Sequence, residues 1–205
     1  MFIERCCTDS AQALEALKAG AGRIELCRDL PVGGITPEKE EIVRAIATGI
    51  PVNVLVRPHG GDFVYTEAEI EEMKEAIRFC REAGANGVVI GALKPDGNID
   101  IGTMKALMAE AEGLSVTFHR AFDECSDPEA ALEEIISLGC DRLLSSGQAA
   151  SAYEGRELLA ALVKQSAGRI VIMPGAGVTP QNIQKLADAT GAVEFHGTRL
   201  GTKAE

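Results

Sequence analysis

A single (β/α)8 barrel of the TIM type, covering 1–205 with its eighth helix missing or vestigial, is the α/β architecture this sequence predicts. Three observations point there. Short apolar runs recur eight times, at 2–7, 23–27, 52–57, 88–91, 115–120, 142–146, 170–174 and 193–196. Seven helical stretches separate those eight runs. Each stretch closes on a glycine (Gly20, Gly49, Gly84, Gly113, Gly139, Gly168, Gly191), so units repeat every 23 to 35 residues, about the size of a strand–helix module. Alternation of helices with buried, Val/Ile-rich strands requires a parallel sheet. Eight such strands in series close most simply into a barrel. A doubly wound open sheet competes, but it more often carries a glycine fingerprint after its first strand, and Thr8-Asp9-Ser10 has no glycine.

Each element follows in order. After the first strand, Asp9 or Ser10 offers an oxygen to the orphan N–H groups of a helix start. The second strand leads to Thr36-Pro37, where proline suits the first helical position. Beyond the third strand, Arg57-Pro58-His59-Gly60-Gly61-Asp62-Phe63 reads as a mobile lid, and Thr66-Glu67-Ala68-Glu69 as a capping box. Ile70, Met73, Ile77 and Cys80 then share one helical face, away from Glu67, Glu71, Glu72 and Glu75. Asp127-Pro128 opens the fifth helix and Thr179-Pro180 the seventh. After the eighth strand only nine residues remain, 197–205, too few for a full helix. The expectation is a homo-oligomer whose neighbouring subunit covers the gap, or an apolar stripe left open between the first and seventh helices.

Composition removes several function classes. Lys and Arg number 20 against 31 Asp and Glu, a net charge of −11, so neither nucleic acid nor an anionic membrane surface is an expected partner. With no Trp and 4% aromatic residues, a stacking platform is not expected either. No apolar run approaches the roughly 18 residues of a spanning helix, and Glu4-Arg5 interrupts the stretch a secretory leader would need. The expected location is cytoplasmic. Six cysteines without C-x-x-C spacing then read as free thiols.

In a barrel, alternate strand residues point inward and sites form at the C-terminal strand ends. That alternation aligns Glu4 with Cys6, Glu25 with Cys27, Asn53 with Arg57, Thr117 with His119, and Glu194 with His196. Buried charge is costly unless paired, so the layer reads as a site, or as a mutually satisfied ion-pair network closing the barrel. Glu4, Glu25, His119, Glu194 and His196 are candidates for acid–base work. Arg57, Asp62, Arg120, Asp123 and Ser146, with Gly175 and Gly177 before a helix start, are candidates for binding a small anionic metabolite; the glycines can also serve only a tight turn. Cys6 and Cys27 end adjacent strands about 4.8 Å apart. Such a pair can share a soft ion such as Cu(I), form a disulfide, or simply be two small buried hydrophobes.

These segments resemble the CutC family of copper homeostasis proteins. The match runs in order from 4–7 through Arg23-Ile24-Glu25-Leu26-Cys27, Gly33-Gly34-Ile35-Thr36-Pro37 and 57–63. It continues through Thr117-Phe118-His119-Arg120-Ala121-Phe122-Asp123, Ser146-Gly147-Gln148, 173–178 and Glu194-Phe195-His196. The resemblance implies a (β/α)8 barrel, dimeric or larger, with a role in copper handling and Cys6 and Cys27 as Cu(I) ligands. It implies no enzymatic reaction; the alternative reading, from the residues themselves, is a barrel enzyme acting on a small phosphorylated or carboxylated metabolite by Glu/His chemistry. The chain departs from the family pattern at His59, where Arg is usual, and at Arg5, which needs a partner on the outer face of its strand.

Overall fold

The computed structural model describes residues 1–200. Eight strands form one parallel sheet: β1 (Phe2–Cys7), β2 (Arg23–Leu26), β3 (Val52–Leu55), β4 (Gly87–Ile90), β5 (Ser115–Phe118), β6 (Arg142–Ser145), β7 (Val171–Pro174) and β8 (Glu194–Gly197). They lie in the order β7-β6-β5-β4-β3-β2-β1-β8, so the sheet curls round until β8 pairs with β1 and lies against β7. Seven helices alternate with them: α1 (Ser10–Lys18), α2 (Lys39–Ile46), α3 (Glu67–Ala83), α4 (Ile101–Glu110), α5 (Pro128–Leu138), α6 (Arg156–Ser166) and α7 (Ile183–Thr190). This is the TIM-type fold. No helix follows β8 among the described residues, and the expectation for the eighth helix falls largely on 201–205, outside them. None of the described helices is long and apolar enough to cross a membrane.

The local signals explain most boundaries. Asp9 accepts from the Gln12 N–H and starts α1, Thr66 and Glu69 close a reciprocal capping box on α3, and Asp127 caps α5 ahead of Pro128. Met73, Ile77 and Cys80 form the buried stripe of α3. Every stop glycine is left-handed; at Gly84, φ is +83° and its N–H reaches back to the Cys80 and Arg81 carbonyls, a conformation only glycine adopts freely. Two expected starts are displaced. Thr36 exchanges hydrogen bonds with the Arg57 backbone, so α2 starts later, behind Glu38. Asn182 takes the Thr179 N–H, and α7 begins only at Ile183.

The apolar core lies between sheet and helices. Ile24, Leu26, Val54, Val88, Ile90, Phe118, Leu143 and Phe195 are fully buried there. Arg5, on that outer face, meets Glu15 at 3.7 Å. Inside the barrel the apolar content shrinks to a small cluster of Cys6, Cys27, Leu55 and Val89. Apart from these, Leu144 and Met173, the barrel interior is largely polar, and that polarity builds the site.

Candidate functional site at the barrel mouth

The strand register sorts the inward side chains into two layers. Glu4 stands beside Arg23 and His196 in the ladders, Phe2 beside Glu194, and Cys6 beside Glu25. In the lower layer, Arg23 bridges the Glu4 carboxylate and Glu194, the latter at 2.9 Å. Arg142 donates to Glu194 at 2.8 Å and to the Ser115 hydroxyl at 2.6 Å. Asn53 adds a longer donation to Glu4, and Asn86 holds Asn53 from outside. Glu4 is fully buried and Arg23 nearly so. Each charge has an opposite neighbour, as burial demands.

The upper layer opens into a cavity of about 950 Å³. Its walls include Cys6, Glu25, Cys27, Arg57, Phe63, His119, Arg120, Asp123, Gly177 and His196, with a lip of Leu30, Pro31 and Val32. Glu4 and Glu194 lie below it, and Asp62, Ser146 and Gly175 do not line it. Asp62 is exposed and only caps the Val64 N–H. Ser146 is tied to Asp123 and the Ala149 carbonyl, while a side chain at Gly175 would strike Leu144 at 2.5 Å. Asp123 gathers Ser145, Ser146, Gln148 and Arg120 and so shapes the loop after β6. His59 is engaged at Gly60 and Glu69, away from the cavity.

Two arcs of this mouth differ in chemistry. On the β8–β1–β2 arc, the Cys6 and Cys27 sulfurs are 3.5 Å apart and buried, and all six cysteines are free. One donor atom each from Cys6, Glu25 and His196 lies within 4.8 Å of the others, a grouping that can hold a metal ion. His196 Nδ1 bonds Glu4 at 2.8 Å while its Nε2 stands 3.9 Å from Glu25. Burial opposes the His196 charge, but Glu25 and Glu4 outweigh it and raise its pKa to about 9. Burial also opposes ionisation of Glu4, yet His196 and then Arg23 bring it down to about 2. Glu25 has no such clamp, and burial leaves it near 7. The Cys6 thiol is pushed far up by its hydrogen bond with Cys27, by burial and by the Glu25 charge.

On the β3–β5 arc the groups are donors. Arg57 extends across the loops after β2 and β3, giving hydrogen bonds to the carbonyls of Val32, Gly34 and Gly61. Phe63 packs under its guanidinium at 4.5 Å and against the His119 ring at 4.9 Å. His119 Nδ1 accepts the Ala121 N–H, and the ring fits only because residue 91 is glycine: a Cβ there would lie 2.6 Å from it. Burial and then the Arg57 charge depress His119 to about 3, so it is neutral.

The family model described as "CutC family" matches residues 1–201. The chain belongs to the CutC family. A CutC protein of Parabacteroides distasonis is 50% identical over 197 residues, spanning 95% of this chain and 81% of its own. The human copper homeostasis protein cutC homolog is 47% identical over 205 residues, 98% of this chain and 75% of that one. Among solved structures, the copper homeostasis protein CutC of Streptococcus agalactiae superposes with a TM-score of 0.93 at 35% identity, covering 98% of this chain and 99% of that. An aldolase, QR15, superposes at 0.71 with 13% identity, covering 97% and 89%; that likeness concerns the barrel fold alone.

Strand alternation brought Cys6, Glu25, Cys27, Arg57, His119 and His196 together at the CutC mouth, with Arg120, Asp123 and Gly177 at its rim. It passed over Arg23 and Arg142, the counter-ions of the lower layer, although both obey the same parity. Phe63, which backs both donors, carries no sequence signal beyond its place in the glycine-rich loop.

Proposed function

We propose that this CutC chain takes part in copper homeostasis by holding Cu(I) at the barrel mouth through Cys6 and Cys27. The single observation behind this is the pair of buried sulfurs 3.5 Å apart, close enough to converge on one soft ion. His196 or Glu25, whose donor atoms group with the Cys6 sulfur, supplies a third donor. Because the Cys6 thiol resists ionisation, loading releases protons and tightens as pH rises. The test is anaerobic Cu(I) titration against a competing chelator for the wild type and Cys6→Ala/Cys27→Ala. The double variant should bind at least about tenfold more weakly, as expected for losing both thiolates; equal affinity removes the thiol site. Six free cysteines support a cytoplasmic location, and the exposed Leu14, Leu17 and Val193 support a homo-oligomer.

A second reading is favoured by the size of the cavity and by Glu25 standing near pH 7 beside a cationic His196. Titratable groups pushed apart in this way suit proton transfer. On this reading the mouth takes a small metabolite, with Glu25 as base and His196 as acid. A thermal-shift screen of small phosphorylated and carboxylated compounds should find a stabiliser whose turnover is lost in Glu25→Gln. A screen without one discards the reading.

A further inference from the structure

Four of the five buried side-chain polar atoms without a hydrogen-bond partner among the described residues lie on one side of the barrel: Arg57 Nε, Tyr65 Oη, Thr117 Oγ1 and His119 Nε2. Such atoms are rare, because an unmade buried hydrogen bond is expensive; elsewhere among the described residues only Arg5 Nε is left without a partner. Arg57 and His119 both line the cavity and are only 5% and 4% exposed. The tautomer of His119 follows from its neighbours: Nδ1 accepts the Ala121 N–H, so Nε2 carries the proton and is a donor with no acceptor. Arg57 meets three carbonyl oxygens and no carboxylate, so its charge is buried without a counter-ion among the described residues. The Tyr65 hydroxyl is close enough to feel that charge but makes no well-directed bond to it. The lower layer shows how this protein treats a buried guanidinium when it is purely structural: Arg23 has two carboxylates.

We propose that Arg57 and His119 form an oxyanion-binding subsite, in which a carboxylate or phosphate group accepts from the orphaned N–H groups of the two side chains. The ligand is a small acid. Its anionic end sits against the Arg57–Phe63–His119 stack, and the rest reaches toward Glu25 and the thiols. Neutral His119 serves as a fixed hydrogen-bond donor and Arg57 as the counter-charge. The proposal rests on the second reading, that the mouth takes a small phosphorylated or carboxylated molecule, and assigns the acid group of that molecule to Arg57 and His119.

Inorganic phosphate and malonate serve as probes, titrated into the full chain with ¹H–¹⁵N spectra of the imidazole rings. At least one should bind and move the His119 Nε2–H resonance; the tighter of the two identifies the anion. His119→Phe keeps a ring against Phe63 but removes the donor, and should weaken binding about tenfold, the loss of a hydrogen bond to a charged group. Equal affinity in His119→Phe, or a His119 resonance that stays still while the anion binds, overturns the subsite but leaves the small-molecule reading standing. If neither anion binds, the subsite falls; the metabolite screen then decides the broader reading by itself. Should His119→Phe fail to fold, the wild-type resonance shift alone carries the decision.

Discussion

The two layers inside this barrel both bury Glu and Arg side chains, and those side chains have opposite fates. Below, Glu4, Arg23, Glu194 and Arg142 neutralise one another in a closed network. Above, Glu25 makes no hydrogen bond to the described residues, the two thiols hydrogen-bond only each other, and His119 and Arg57 keep unpartnered N–H groups. The two layers are separated by two residues along each strand, about 7 Å. Pairing, rather than charge or burial, is what separates a structural polar interior from one that awaits a ligand.

The largest effect expected from breaking this contrast is on stability. Glu4→Gln leaves Arg23 and His196 without their shared carboxylate in a place water does not reach. Removing one partner of a buried pair costs about 3–5 kcal/mol. Glu25→Gln, by contrast, removes a carboxyl whose charge burial already disfavours, and should be neutral or stabilising at pH 8. Urea unfolding at that pH compares the two directly. If Glu4→Gln is no more destabilised than Glu25→Gln, the distinction between a sealed and an open layer is wrong.

Proton binding sharpens the same contrast. His196 should stay protonated until the pH approaches 9, and His119 should stay neutral down to about 3. A raised histidine pKa gives stability that is complete below its ordinary 6.5 and fades as pH rises through 9. A lowered carboxyl does the reverse, so the Glu4 contribution is present above 4.5 and is lost as pH falls toward 2. Imidazole spectra recorded across this range resolve the two rings. Glu25→Gln should lower the His196 titration and leave that of His119 in place; a common midpoint for both rings would erase the difference between the arcs.

Much of this was legible in the sequence, because barrel strands alternate strictly and glycine stops are local. Alternation placed Cys6, Glu25, Cys27, His119 and His196 at one end without any tertiary information. The same rule also drew in Glu4 and Glu194, since parity fixes which way a side chain points and says nothing of its depth or partners. Their structural role depends on Arg23 and Arg142, contributed from distant strands. Thr36 and Thr179 misled because each has the chemistry of a helix cap. The Thr36 hydroxyl is taken by the distant Arg57 backbone, and the Thr179 N–H is held by Asn182 three residues on, so α7 starts only after it. Phe63 was illegible because its position between Arg57 and His119 depends on the path of a loop.

The smallest expected effect tests whether the mouth ends where its walls do. Asp62 belongs to the same loop as Phe63, yet it is exposed, does not line the cavity, and only accepts the Val64 N–H. Asn offers the same oxygen, so Asp62→Asn should change stability by no more than about 0.5 kcal/mol. Its charge lies outside the cavity walls, so Cu(I) and anion affinities should match the wild type within error. Chelator competition and the phosphate titration measure both. An anion affinity that rises in Asp62→Asn would mean that this loop folds over the ligand and brings its carboxylate near, extending the ligand-facing layer from the strand ends into the loop.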